Sequence, residues 1–164
     1  ITLKPWAAGG GFGELLSMPI VSIVVTTKNE SRNIVACLES VRRQTFSEHG
    51  IIVVDNASTD DTKDLARRYT QKVLDLGPER SAQRNFGAAQ ATGAYILYLD
   101  ADMILEPDVV AECVGICQQK PQIAGIYIPE QIVGTGFWIK VRAFERGFYD
   151  GTVIDAVQIG RAHV

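Results

Sequence analysis

YILYLDAD, residues 95–102, is an apolar run that ends abruptly in two carboxylates. Rich in Ile, Leu and Tyr, with Gly93 before it and Pro107 beyond, it reads as a strand buried on both faces. Asp100 and Asp102 therefore stand at the strand's carboxyl end, where ligands bind in open α/β sheets. On a continuing strand, residues two apart point the same way. Two such acids repel each other unless a cation or a donor-rich ligand lies between them. A hard divalent cation shared with a substrate diphosphate meets that need. The plainer reading of the same acids is a helix cap or a solvated turn.

The pattern recurs on either side. IVSIVVT, residues 20–26, is a β-branched strand running into TKNESRN, where Ser31 is a suitable N-cap for a helix reaching Gln44 with Ile34, Leu38 and Val41 buried. IIVV, residues 51–54, ends in DNASTDDT and a helix over 59–69. A short strand spans 72–76, and after Gly77-Pro78 a helix carries ERSAQRNFGAAQA into the strand at Tyr95. Four strands alternating with three helices predict an α/β domain: a mostly parallel sheet with right-handed crossovers, helices on both faces, three layers in all. One rim then collects Thr26, Thr27, Lys28, Asn29 and Glu30, Asp55 and Asn56, and Asp100 and Asp102. Arg80 and Arg84, one turn apart, share a helix face toward it.

Beyond the acids, Pro107 opens a helix over 107–119 with Val109, Val110, Val114 and Cys117 buried, and residues 123–128 read as a further strand. FWIKVRAFERGFY, residues 137–149, mixes aromatic and basic residues at helical spacing. It suits core packing, or else an amphipathic lid or membrane-facing helix.

The 164 residues suffice for one domain with a real core, and 46% apolar with 21% charged residues is ordinary for a globular protein. A net charge of -3 without a basic run argues against a nucleic-acid surface. No apolar run has the length of a membrane helix, so the expected location is cytoplasmic, with the inner face of the membrane as an alternative. Cys37, Cys113 and Cys117 form an odd set in helical patterns and read as reduced thiols. His49 and His163 lie in no catalytic motif. GGGFG at 9–13 is no dinucleotide loop, because no strand precedes it and Glu14 stands where a third glycine belongs. Residues 1–17 are expected to be an extension, non-native sequence being one reading of it, since Met18-Pro19 directly precedes the first clear element.

VSIVVTTKNES, VVDNASTDDT and ERSAQRNFGAAQATGAYILYLDAD, in this order and spacing, resemble the glycosyltransferase family 2 domain with the GT-A fold. The resemblance spans residues 19–157, and the domain is expected over 18–157. It implies a metal-dependent, inverting transfer of a sugar from a nucleoside diphosphate donor, UDP foremost, to a sugar, lipid or polysaccharide hydroxyl in cell envelope polysaccharide biosynthesis. By resemblance, Asp102 ligates Mg²⁺ or Mn²⁺, Asp100 meets the ribose or metal-bound water, and Thr26, Lys28, Asn29, Glu30, Asp55, Asn56, Arg80 and Arg84 surround the donor. Asn56 stands where many relatives carry a second acid facing the base, which leaves the nucleotide open. Glu130 is the nearby candidate for the general base, which in the family lies on a segment that QIGRAHV replaces. IGRAHV resembles a translated sequencing adapter, so the domain is expected to be incomplete at its C-terminus and residues 158–164 to be a non-native tail. The competing readings are a binding module without turnover and a sugar nucleotidyltransferase; TTKNES lacks the glycine-rich, lysine-bearing loop of the latter.

Overall fold

The computed structural model describes residues 2–3 and 20–128. The chain divides into two compact units, Ile1–Ala124 and Gly125–Val164, and the first holds the architecture expected for residues 20–119. Its elements are β1 (Thr2–Leu3), β2 (Val21–Thr27), α1 (Ile34–Arg42), β3 (His49–Asp55), α2 (Thr62–Ala66), β4 (Val73–Asp75), α3 (Arg80–Ala89), β5 (Tyr95–Asp100) and α4 (Val109–Gln119). The sheet order is β1-β5-β2-β3-β4. β2 to β5 run parallel. β1, within the stretch expected to be an extension, adds an antiparallel edge by pairing Thr2 with Ile96 and Leu3 with Tyr95.

From β2 the chain steps outward through α1 to β3 and through α2 to β4. It then returns through α3 and lays β5 on the other edge of β2. Right-handed crossovers put α1 and α2 on one face and α3 on the other, so the direction of winding reverses between β2 and β5. β2 is buried at all seven positions, as a central strand covered on both faces must be. Val24, Ile52 and Tyr98 share a register row. With Val54, Ala91 and Ile96 they meet Phe86 and Ala88 of α3. A Cβ at Gly87 would lie 2.3 Å from Val24 Cγ1, so only glycine lets α3 sit this close. In α1, Ile34, Leu38 and Val41 are fully buried, each worth on the order of 2 kcal/mol of removed apolar surface.

Several elements differ from the sequence reading. α1 begins at Ile34 without a side-chain cap from Ser31: the Asn33 and Ile34 amides that its hydroxyl would serve donate to the Glu30 carbonyl at 2.9 and 2.8 Å. Glu30 N–H donates to Thr62 Oγ1 at 2.9 Å and Ser31 N–H to Asp60 Oδ2 at 3.1 Å, which ties the residues before the helix to a distant loop. α2 covers only 62–66 of the expected 59–69, since Thr59 and Asp60 are spent on that same loop. β5 stops at Asp100, where Met103 N–H closes a turn on the Asp100 carbonyl at 3.0 Å. Residues 123–128 hold a lone bridge at Gly125 rather than a strand, and none of them is buried. Ile123 N–H turns back to the Lys120 carbonyl at 3.1 Å. Glu130, the 137–149 helix and the 158–164 tail lie outside the described residues.

Candidate functional site

The register sets Thr26 beside Asp100 across β2 and β5, and both lie on the face that α3 covers. Thr26 Oγ1 donates to Asp100 Oδ1 at 2.8 Å. Arg84 Nη2 reaches the same oxygen at 3.1 Å, and Arg80 Nη1 reaches Oδ2 at 3.1 Å. The two arginines differ in their access to solvent: the Arg80 side chain is 68% exposed and that of Arg84 24%. Arg84 Nε is buried without a hydrogen-bond partner. Asp100 is therefore a buried carboxylate held by a hydroxyl and two guanidiniums, charge-assisted pairings stronger than neutral ones.

Beside this cluster opens a cavity of about 270 Å³. Thr26, Thr27, Lys28 and Glu30 from the β2 loop line it, with Asn56, Pro78, Arg80, Gln83, Asp100, Ala101 and Asp102. The turn after β5 separates the acids expected to point together. Asp100 is buried, whereas Asp102 is exposed on the cavity wall. Below them Cys37 Sγ donates to the Asp100 carbonyl at 3.7 Å. Burial, then the charges of Asp102 and Asp100, push its thiol up to about 12, so Cys37 is a neutral packing group and no nucleophile.

On the other side of β2, the loops after β2 and β3 are laced together. Asp55 is fully buried, and it accepts Ser58 N–H at 2.7 Å and Ser58 Oγ–H at 2.5 Å. Ser58 Oγ in turn accepts Asn29 N–H at 2.8 Å, and Asn29 Oδ1 accepts Thr59 N–H at 2.8 Å. Asp60 accepts from Ser31 and Thr62, and these bonds, that of the Thr62 hydroxyl foremost, hold its carboxyl below the usual carboxylate range. Asn29 has φ 52 and Ala57 φ 49. Asn tolerates that left-handed conformation, whereas Ala57 occupies it at a cost of about 1 kcal/mol. Asn56 Nδ2 donates to the Pro78 carbonyl at 2.8 Å and Glu30 Oε2 accepts Asn33 Nδ2 at 2.7 Å.

Of the residues expected around the donor, the structure brings Thr26, Lys28, Glu30, Asn56, Arg80, Asp100 and Asp102 to one cavity, with Arg84 bonded behind Asp100. Asn29 and Asp55 are not on its wall; they hold the loop that carries Lys28. Gln83 and Ser58 were not foreseen. Ser58 follows an Asp by three residues, a turn signal that points to it. Gln83 lies in plain view between the arginines of ERSAQRN, but nothing local marks it as buried.

Among the described residues no cluster of three or more His, Cys, Asp or Glu could hold a metal ion. Asp100 already accepts three hydrogen bonds, which leaves Asp102 as the accessible carboxylate. One carboxylate with open space beside it does not make a protein cage. It does fit Mg²⁺ or Mn²⁺ arriving with a diphosphate, since such ions keep waters and take substrate oxygens.

The family model for Glycosyl transferase family 2 matches residues 22–160, which include this whole rim. The chain belongs to glycosyltransferase family 2. Within the family, AglE of Haloferax volcanii, named a glycosyltransferase, is 36% identical over 95 residues, 52% of this chain and 31% of AglE. Chondroitin synthase of Escherichia coli is 31% identical over 119 residues, 69% of this chain and 17% of that protein. This family member thus spans at most about a third of these relatives' lengths. Among solved structures, the mannosyltransferase PcManGT of Pyrobaculum calidifontis, in complex with GDP-Man and Mn²⁺, has TM-score 0.56 and 26% identity over 70% of this chain and 36% of its own. S. aureus TarS with UDP-GlcNAc has TM-score 0.57 and 25% identity over 68% of this chain and 37% of its own. The fold is that of GT-A glycosyltransferases. Among the described residues no helix is long and apolar enough to cross a membrane.

Proposed function

We propose that this domain binds a nucleoside diphosphate sugar, UDP-linked, in the cavity between the ends of β2 and β5, and transfers the sugar with inversion to an acceptor hydroxyl. One observation carries the reading: the accessible Asp102 carboxylate stands beside an Asp100 held by Arg80 and Arg84, at the point where the winding of the sheet reverses. Asp102 would hold Mg²⁺ or Mn²⁺ with the donor's phosphate oxygens, and the cation would stabilise the charge that develops on the leaving diphosphate. Support for such an ion comes from PcManGT, crystallised with GDP-Man and Mn²⁺.

The chain's own groups supply the rest. Arg80, largely exposed at the cavity, offsets phosphate charge, while Arg84 holds the Asp100 carboxylate in place toward the ribose hydroxyls. Lys28, Glu30 and Asn56 bound the nucleoside end, with Asn56 able to donate or accept toward a base. Asn29 and Asp55 act from behind by fixing the Lys28 loop. The acceptor oxygen attacks the anomeric carbon, the bond to the diphosphate breaks, and the acceptor's proton passes to a carboxylate; Glu130 is the candidate base. The acceptor would be a sugar, lipid or polysaccharide of the cell envelope, met in the cytoplasm or at the inner face of the membrane.

Thermal unfolding with UDP or GDP, each with and without Mn²⁺, tests the reading. A ligand at about one hundred times its Kd adds roughly 2.7 kcal/mol, a visible shift of midpoint. Stabilisation that needs both nucleotide and metal, and that Asp102→Ala removes, supports the donor site. A cooperative transition unmoved by either nucleotide would refute it, and stabilisation without sugar release from the donor would make the domain a binding module.

A further inference from the structure

Gln83 lies on α3 between the two arginines and is 4% exposed. Its Nε2 donates to the Val54 carbonyl at 2.7 Å and to the Thr27 carbonyl at 3.1 Å. These carbonyls stand at the carboxyl ends of β3 and β2. Since both neighbours can only accept, the orientation of the amide is fixed: a flipped Gln83 would set its oxygen against two carbonyl oxygens.

Four residues on, Gly87 rests against Val24 and Val54 of the same two strands. Residues at i and i+4 share a helix face, so Gln83 and Gly87 are two contacts of one docking line. Gly87 sets how deep α3 lies. Gln83, bonded in two directions, sets where it lies along the strand ends and how it is turned about its axis. That rotation decides whether Arg80 and Arg84 arrive within 3.1 Å of the two Asp100 oxygens.

We infer that Gln83 is a positioning residue for donor binding: by clamping the Thr27 carbonyl of β2 and the Val54 carbonyl of β3 it registers α3 so that Arg80 and Arg84 hold Asp100 at the cavity. The inference rests on the nucleotide-sugar reading and gives Gln83, a cavity-lining residue whose amide nitrogen is committed to two backbone carbonyls, the part of holding α3 in place. Loss of a residue that orients a binding group commonly costs about tenfold or more in affinity.

The test compares the Kd of UDP and of GDP, each with Mn²⁺, for the full chain and its Gln83→Leu and Gln83→Glu variants, well below every melting midpoint. Val110→Ala, on the buried face of α4, serves as a control that loses stability away from the site. Gln83→Leu should weaken binding about tenfold while Val110→Ala leaves it unchanged. Gln83→Glu sets a carboxylate against two carbonyls, and only its protonated form can donate. Its affinity relative to wild type should therefore climb as the pH falls from about 8 to about 5. The pH arm is a readout that lost packing alone would not move, and it keeps the inference testable should Gln83→Leu fail to fold. If the wild-type chain binds while the Gln83 variants bind as tightly at every pH, this inference alone is overturned. If the wild-type chain binds neither nucleotide, the donor reading falls and takes this inference with it.

Discussion

Asp55 and Asp100 end the two strands that flank β2, each after a buried apolar run, and in sequence they look like the same device. Their surroundings differ in kind. Asp55 gives both oxygens to Ser58 and is sealed from the cavity; Asp100 gives its oxygens to Thr26 and two arginines and forms part of the wall. The first edge is a mesh in which neutral amide and hydroxyl donors converge on two carboxylates and fix loop shape. The second concentrates charge where a charged ligand can meet it. A strand-end acid thus acquires its surroundings from the donors that reach it: backbone and hydroxyl donors make a brace, guanidiniums make a charged cavity edge.

The contrast can be broken by substitution. Asp100→Ala leaves two guanidiniums facing each other without their acid. Because Arg80 is largely exposed, the cost is taken at the low end for a broken buried pair, about 3 kcal/mol, together with loss of nucleotide binding. Chemical unfolding and calorimetric titration read the two effects. Asp55→Ala removes a fully buried acceptor from the half-buried Ser58 donors and should cost about 1 kcal/mol. Because Asp55 reaches the cavity only through the loop that carries Lys28, nucleotide binding measured on the folded fraction should weaken in Asp55→Ala by far less than in Asp100→Ala; an equal loss would erase the distinction. Asp102→Ala, at an exposed position, should change stability by no more than about 0.5 kcal/mol while removing metal-dependent nucleotide binding.

The smallest effect concerns Cys37, on the Asp100 side alone. Its thiol is pushed from the ordinary 9.0 to about 12, by burial first and then by Asp102 and Asp100. Between pH 9 and 12 the unfolded chain gives up this proton and the folded chain keeps it, so Cys37's contribution is whole below pH 9 and is lost as the pH rises through 12. The decline of the melting midpoint across that alkaline range should be shallower in Cys37→Ala than in the wild type, and an equal slope would discount the buried thiol.

Strands and helices were legible where burial and periodicity coincide, as in VSIVVTT of β2 and YILYLD of β5. The reading failed where a distant partner outbid a local signal. Ser31 looks like a helix cap, but the Asn33 and Ile34 amides it would serve go to the Glu30 carbonyl, and its own amide is held by Asp60, 29 positions away. Residues 123–128 look like a strand, yet apolar character without burial left a turn and one bridge. That Thr26, Arg80, Asp100 and Asp102 share one cavity was legible because strand ends and one helix face converge by topology. The divergence of the two acids was not, since it depends on a turn closed by Met103. Nor was Gln83, whose burial follows from how closely Gly87 lets α3 approach.

The hydrogen bond between Thr26 and Asp100 joins residues 74 positions apart. The mesh around Ser58 and Asp60 closes over 29. Loop-closure entropy makes the shorter contacts cheaper to form first, and a chain leaving the ribosome exposes them first as well. The pairing of β2, β3 and β4 needs nothing beyond Asp75, while the charged edge waits for the last parallel strand. A chain that assembles in that order would complete the brace before the charged edge, and the cavity wall would wait for the docking of β5.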